Sequence, residues 1–579
     1  MPSEHGHKRF VLDLGINAAA TVTAAAVLLL SSSRPAVAAD AGAKAPAPVS
    51  APAVPAVTAP VLTGLLIVND PKDVMASGTP DVKGIEVRGI AVLDRADFRA
   101  QITRYLGRPL TDENRTDIVN DIARFFRSQD RAIVDVIIPP QEITGGVLQV
   151  LVLQGKVGRI RMEGSRWFNP RRLTGKLRVQ PGQDIDSRQL SSDLDWLNRN
   201  PFRQVDMVYE KGAELGQTDL VLQEKERFPL SVFGGYDDSG TPVTGNNRLM
   251  AGLTWGNVFG GDGQFNYQYM ADPAFKWFRA HSASLVQPLP WRHIMTVLGS
   301  YADTHGNVAP PFDLSGFNWQ TSMRYEVPLP KLSSTRLSYQ EAVVAGFDFK
   351  RSNNNLAFGG VQVFGAMTDA AQWSLGYNSS LKDPWGATSL RATLLYSPGR
   401  WTDNDTDNAY QLARAGATAR YTYGRIELNR TTTLPWDFML VSQFTFQRSD
   451  SNLLASEQLG LGGYDTIRGY DTRIVNGDQG YIISNELRTP PMNVLTLFHI
   501  KRIDDKLQFL GFFDYGSVSN RDLLEGEQAR TVLAGIGPGV RYAVSSNLSL
   551  RGDYGWQLHN AQDQRLYASR SHIGLIVSY

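Results

Sequence analysis

The sequence predicts a transmembrane β-barrel of about sixteen antiparallel strands preceded by two small α+β modules. Three observations carry that expectation. From about Phe228 onward, polar and apolar side chains alternate with period 2 between turn residues, as in strands with two unlike faces. Beyond Leu30 there is no run of 18 or more apolar residues, so no α-helix of that part spans a bilayer and a membrane form of it must be a closed sheet. Between about 82 and 226, one strand–helix–helix–strand–strand pattern occurs twice.

Composition narrows the classes further. At 579 residues, 42% hydrophobic and 20% charged, the chain is too long for one ordinary domain and too mixed to be disordered. Its 53 Gly, 21 Tyr, 25 Phe and 11 Trp suit tight turns and strands. The 58 basic and 57 acidic residues leave a net charge of +1, so no bulk field argues for a nucleic-acid partner. The lack of cysteine excludes disulfides, thiolate zinc sites, iron–sulfur clusters and cysteine nucleophiles.

At the N-terminus, Lys8 and Arg9 precede an apolar run from Ile16 to Leu30, and Ala36-Val37-Ala38 forms a small-x-small cleavage site. Residues 1–38 therefore read as a secretory signal peptide, with a single membrane anchor as the competing reading. Residues 39–81 read as an Ala/Pro-rich linker, because Pro46, Pro48, Pro52, Pro55 and Pro60 fall too close together for a helix.

The two modules are placed at 82–156 and 157–226. Ile85-Glu86-Val87-Arg88-Gly89 has a counterpart in Ile160-Arg161-Met162-Glu163-Gly164, and Leu110-Thr111 has one in Ile185-Asp186, all at the same offset. Thr111 and Asp186 occupy N-cap positions. Each opens an amphipathic helix, with Ile118, Val119, Ile122, Phe125 and Phe126 on the apolar face of the first and Leu190, Leu194 and Leu197 on that of the second. Strand-forming runs follow: Ala132 to Ile138 and Val147 to Leu153 around the turn Thr144-Gly145-Gly146, then Val205 to Tyr209 and Asp219 to Leu222.

Residues 227–579 read as the barrel. Gln264, Asn266 and Gln268 alternate with Phe265, Tyr267 and Tyr269 beside the turn Gly260-Gly261-Asp262-Gly263. Short turns such as Leu434-Pro435-Trp436-Asp437 alternate with long polar loops such as Asp303 to Phe317. A spanning strand of about 9–11 residues with half its connections takes up about 22, so the region accommodates sixteen. In the last strand Ile573, Leu575, Val577 and Tyr579 share one face.

Two such repeats ahead of a barrel resemble the outer-membrane transporters of two-partner secretion, the family of haemolysin and filamentous-haemagglutinin secretion/activation proteins. The resemblance covers about residues 82–579. Pro139-Pro140-Gln141 with Gly146-Val147-Leu148 looks like the end of a first polypeptide-transport-associated (POTRA) domain, and Leu197-Asn198-Arg199-Asn200-Pro201-Phe202-Arg203 looks like the Asn-Pro-Phe-Arg stretch of a second. Ile467-Arg468-Gly469-Tyr470 looks like the tip of the loop that folds into the lumen in this superfamily, around 460–475. Phe512-Phe513-Asp514-Tyr515-Gly516 looks like the strand motif that receives it. The family's N-terminal plug helix has no evident counterpart in the proline-rich stretch 40–62.

The resemblance implies a pore in the outer membrane of a Gram-negative-type bacterium, with its POTRA domains in the periplasm. It secretes, and by family analogy activates, a large exoprotein that arrives unfolded and is β-helical once folded. The expected partners are that exoprotein, the lipid bilayer and the insertion machinery, for which the terminal aromatic Tyr579 resembles the assembly signal. Arg468, Gly469, Tyr470, Asp514 and Gly516, with Glu486 one strand earlier, are the candidate lock on the inward loop: parity puts Asp514 on a face with Gln508, Phe512 and Gly516, away from Phe509, Phe513 and Tyr515. Candidates for partner contact are Arg124, Phe125, Phe126, Arg199, Phe202 and Arg203, the phenylalanines reading more readily as core. No catalytic, cofactor or metal constellation is expected: His281 and His293 read as solvated or strand-end residues, and Gly535-Ile536-Gly537-Pro538-Gly539 as a strand kink. A barrel-assembly factor of the same superfamily and a plain porin are the rival readings.

Overall fold

The computed structural model describes residues 59–77, 81–131, 133–334, 336–358, 361–500, 502–560 and 568–579. The expected signal peptide and most of the proline-rich stretch lie outside these residues. The rest divides into two compact units, one ending at Arg227 and the other running from Phe228 to Tyr579.

In the first module the helix Asp112–Ser128 begins where Thr111 accepts a hydrogen bond from the Asn114 N–H, with Asp112 and Glu113 in the electropositive first turn. Ile118, Ile122, Phe125 and Phe126 form its buried face and meet Phe98 and Ile102 of the preceding helix, Ala96–Thr103, in one apolar core. The sheet beneath has four strands in the spatial order Gly84–Arg88, Gly64–Val68, Val147–Gln154 and Val134–Ile137.

The strand Gly64–Val68 corrects the sequence reading, which placed it in a linker ending at 81. It runs parallel to both neighbours, pairing Ile67 with Val87 on one side and with Val150 on the other, and all five residues are buried. Its run Leu65-Leu66-Ile67-Val68 is apolar on both faces because both faces are covered. The repeat comparison passed over it because the second module has no equivalent: there the strand Lys156–Glu163 pairs directly with Gln217–Glu226, Ile160 opposite Leu220. That three-stranded sheet is completed by Arg203–Lys211, and its helix Ser187–Leu197 opens with the Asp186 carboxylate accepting the Gln189 N–H at 2.9 Å.

The second unit is a closed antiparallel barrel. Its sixteen wall strands, each pairing with its neighbours along the chain, run from Leu230–Asp237 to Ser569–Ser578. The first and last close the ring, Gly574 opposite Asp237 and Ser578 opposite Phe233. Tyr579 extends this seam: its N–H donates to the Val232 carbonyl at 2.9 Å and its own carbonyl accepts from the Val232 N–H at 3.0 Å, while its side chain is exposed.

The region expected as a long polar loop from Asp303 to Phe317 is mostly strand. Ile294–His305 and Phe312–Pro328 leave only 306–311 between them, because Ser338–Phe358 pairs along the whole of the second and satisfies its backbone. The short turn at Leu434 holds Trp436 and Asp437 at positive φ. Gly535 to Gly539 lie within the strand Thr531–Val544, where a Cβ on Gly537 would strike the Tyr554 carbonyl.

Candidate functional site

Between the wall strands Met439–Ser449 and Gln479–Arg488 the chain leaves the sheet. Within this excursion Leu459–Leu461 and Val475–Gly477 form a small antiparallel ribbon, Leu459 opposite Gly477. Leu459, Leu461, Ile467, Tyr470 and Val475 of the loop pack with Ile482, Val518 and Leu533 of the wall in one buried cluster. The receiving side of the strand Asp505–Ser519 is given by its burial: Phe512, Asp514 and Gly516 are buried, whereas Phe509 and Phe513 are exposed. A closed wall in a membrane turns its exposed aromatics to lipid, so the loop lies inside the barrel.

Arg468 at the loop tip is 2% exposed and surrounded by acids. Its Nε donates to Asp514 Oδ2 at 2.7 Å and its Nη2 to Asp514 Oδ1 at 2.8 Å, a two-pronged guanidinium–carboxylate contact. Its backbone N–H also reaches Asp514 Oδ2 at 3.1 Å, which fixes the main chain as well as the side chain. Nη1 donates to Glu486 Oε1 at 2.5 Å and lies 3.5 Å from Asp553 Oδ1. The guanidinium carbon stands 3.7 Å from the centroid of the Phe512 ring. Two further arginines balance the acids: Arg541 bonds Glu486 at 3.1 Å and Asp553 at 2.9 Å, and Arg488 bonds the other oxygen of Glu486. Three guanidinium groups thus meet three carboxylates in a largely buried site, which leaves little uncompensated buried charge.

The residues after Arg468 are held through their backbone. The Gly469 N–H donates to His572 Nε2 at 3.2 Å, while His572 Nδ1 faces Asp238 Oδ2 at 3.1 Å, so the imidazole accepts from the loop and donates to the acid. Gln557 Nε2 donates to the Gly469 carbonyl at 2.7 Å. Tyr470 lies buried with its hydroxyl 2.9 Å from the Ala534 carbonyl and 2.7 Å from that of His559. Three wall glycines make room. A Cβ on Gly516 would come within 2.8 Å of Leu461 Cδ2, one on Gly555 within 2.5 Å of the Gly469 nitrogen, and one on Gly535 would collide with the Arg468 carbonyl.

A second group of buried charges holds the base of the loop. Asp478 accepts from both Nη atoms of Arg414, at 2.6 and 3.2 Å, and from the N–H groups of Leu453 and Arg521. Glu457 takes the Lys350 ammonium at 2.8 Å and the Tyr423 hydroxyl at 2.8 Å. Sequence reasoning assigned no role to Asp478, Glu457, Asp553, His572 or Arg541. Asp553, Arg541 and His572 are single polar residues within alternating strands and Glu457 and Asp478 lie between strands, and none of these signals specifies a partner.

In the two modules, burial corrects most of the expected partner contacts. Phe125, Phe126 and Phe202 are core residues, 6%, 0% and 2% exposed, because the helix face and loop that carry them are the faces each sheet covers. Arg203 is also buried: its Nε donates to the Leu197 carbonyl at 2.9 Å and its guanidinium lies over the Phe168 ring. Arg124 stays largely exposed while pairing with Asp121 at 2.6 Å, and Arg199 lies against the Trp196 ring. His281 and His293 each bond a tyrosine hydroxyl, those of Tyr267 and Tyr325.

Comparison with known proteins agrees with this architecture. The family model of the haemolysin secretion/activation protein ShlB/FhaC/HecB matches residues 216–542, and that of the ShlB-type POTRA domain matches 81–155. The outer membrane transporter CdiB of Dickeya dadantii (strain 3937) is 23% identical over 484 residues, 81% of each chain. The heme/hemopexin transporter protein HuxB of Haemophilus influenzae (strain 86-028NP) is 22% identical over 503 residues, 82% of this chain and 84% of that one. The solved structure of CdiB from Escherichia coli superposes with a TM-score of 0.70 at 16% identity, covering 92% of this chain and 93% of that one. These matches favour secretion over the assembly-factor and porin readings. A closed sixteen-stranded wall, a POTRA domain ahead of it and a family match over more than half its length place the chain in the haemolysin secretion/activation family ShlB/FhaC/HecB: it is an outer-membrane transporter of two-partner secretion, with its POTRA domain in the periplasm.

Proposed function

We propose that this transporter exports one large partner exoprotein in unfolded form, and that the loop between Ser449 and Gln479 is the element displaced during passage. The observation that carries this reading is the nature of the loop's attachment: its tip is held by the Arg468 ion pairs, by hydrogen bonds to and from side chains and by the packing of Ile467 and Tyr470, and the wall behind it is hydrogen-bonded independently of it. A loop held this way can leave and re-seat without opening the ladder that closes the barrel. Capture falls to the modules. Val134–Ile137 and Arg203–Lys211 are edge strands with exposed apolar side chains at Ile137 and Tyr209, and an extended client can add to such an edge through main-chain hydrogen bonds. The client folds into its β-helical form outside the cell, and that folding draws the chain outward. Tyr579 serves earlier, in handing the last strand to the insertion machinery.

A deletion strain tests the reading. Loss of the transporter leaves one exoprotein in the periplasm while porin levels hold. A collapse of porins with normal secretion overturns it in favour of barrel assembly.

A further inference from the structure

The outer face of the barrel carries a feature that secretion does not use. Its lipid side is fixed by the exposed Phe509 and Phe513, and strand register carries that assignment around the wall. Ser517, on the same face as Phe513, lies opposite Tyr481; Tyr481 lies opposite Phe446, and Phe446 opposite Ile426. Arg448 shares the face of Phe446 and lies opposite Gly424, which lies opposite Leu394.

On this lipid-facing side a trough of about 930 Å³ crosses the strands, with Gly424 and Ala392 among its lining residues and Leu375, Leu394 and Phe446 beside them. A neighbouring hollow of about 530 Å³ shares Phe446, Arg448 and Arg521 with it and adds Arg530. Leu375 and Leu394 are 57% and 51% exposed, so the trough is open and apolar. The three arginines are exposed. Arg530 donates only to the neutral hydroxyls of Ser517 and Tyr481, and Arg448 and Arg521 have no side-chain ion pair or hydrogen bond among the described residues. The nearby acid, Asp450, accepts from the Thr422 N–H and the Ser451 hydroxyl.

The chain leaves the periplasmic modules at Arg227 and enters the wall at Leu230, so every odd-numbered strand runs outward. Ser449 and Ser519 close the eleventh and thirteenth strands and Thr531 opens the fourteenth, which puts Arg448, Arg521 and Arg530 at the extracellular rim. Three cations that make no ion pair among the described residues, with one acid, Asp450, beside them, lie at the headgroup level above an apolar trough that faces acyl chains. This net positive rim matches an anionic amphiphile. We infer that this face binds the phosphorylated glycolipid of the outer leaflet, with the lipid A phosphates on Arg448, Arg521 and Arg530 and an acyl chain in the trough over Gly424.

The test uses the full-length transporter in detergent, with lipopolysaccharide carrying bisphosphorylated lipid A as the probe and bound glycolipid per barrel read by native mass spectrometry. The wild type retains the glycolipid. Replacing the three arginines together by Ala weakens binding by about a hundredfold, since each surface cation contributes roughly a fivefold preference for an anionic headgroup. Gly424→Leu fills the trough and also weakens binding; the glycine has room for a Cβ, with the Thr393 carbonyl oxygen 4.0 Å away as the nearest contact. Heat-modifiable gel mobility shows that each variant barrel is folded. Undiminished binding by the folded triple variant overturns the proposal. So does equal binding of dephosphorylated lipid A or of phosphatidylglycerol, or displacement of the glycolipid by inorganic phosphate at equal concentration.

Discussion

Arg468 and Asp514 are 46 residues apart in the chain and meet through two parallel hydrogen bonds of 2.7 and 2.8 Å, with side chains 3% and 0% exposed. Removing the arginine leaves Asp514, Glu486 and Asp553 buried with one cation fewer, and breaking a buried pair from one side costs about 3–5 kcal/mol. Arg468→Ala therefore undocks the loop and lowers secretion while the barrel stays inserted. Arg468→Lys is impaired too, because an ammonium cannot make the planar two-pronged contact. Secretion assays on the two variants, with heat-modifiable mobility showing that the barrel is inserted, check both statements; normal secretion by Arg468→Ala would refute them.

Gly516 presents a flat seat to Leu461 and Ile467. Gly516→Val forces the loop away from the wall at a cost of about 1–3 kcal/mol, the usual range for overpacking. The expected result is faster labelling of a cysteine at 472, in the same loop with Arg468 kept, by a membrane-impermeant maleimide, with the barrel's heat-modifiable mobility unchanged.

At the base of the loop, Arg414→Ala leaves Asp478 buried with backbone and amide donors but no charge partner. The same cost of about 3–5 kcal/mol applies. If the base and the tip act on one loop equilibrium, the double variant with Arg468→Ala shows less than the sum of the two single effects in secretion. Strict additivity would mean two independent elements.

The strand Gly64–Val68 is the centre of the first module's sheet, so Ile67→Ala should destabilise that module by about 2–5 kcal/mol. Limited proteolysis of the full-length protein reads this as cleavage appearing within the first module while the second stays protected.

In the second module the Arg159 backbone N–H, 2.7 Å from Asp219 Oδ1, holds the Asp219 carboxyl below the usual carboxylate range. Desolvation opposes this, and the Arg159 guanidinium adds to it. The folded state thus favours the charged form. Its contribution is complete above the unfolded pKa of about 4 and is lost as pH falls through the lower folded value. Asp219→Asn should speed amide exchange in Gln217–Glu226 at neutral pH, and the variant should lose less protection than the wild type on acidification below about pH 4.

Three things were fixed by the sequence alone: the barrel, its strand number, and the repeat with its capped helices. Each depends on local rules. Period 2 follows from the strand pleat, Thr111 and Asp186 cap whatever helix follows them, and strand number is chain length divided by membrane thickness. Parity along one strand likewise separates Asp514 from Phe513 with no knowledge of the rest of the chain. Tertiary structure alone decided what meets across the barrel. Glu486, Asp553, Arg541 and His572 come from different wall strands, and only closure of the sheet brings them around Arg468. The same reason accounts for the misreadings. Whether Phe125 faces a client or a core, and whether Leu65-Leu66-Ile67-Val68 is a linker or a central strand, depends on what covers the residue, and a sequence records the side chain but not its neighbours.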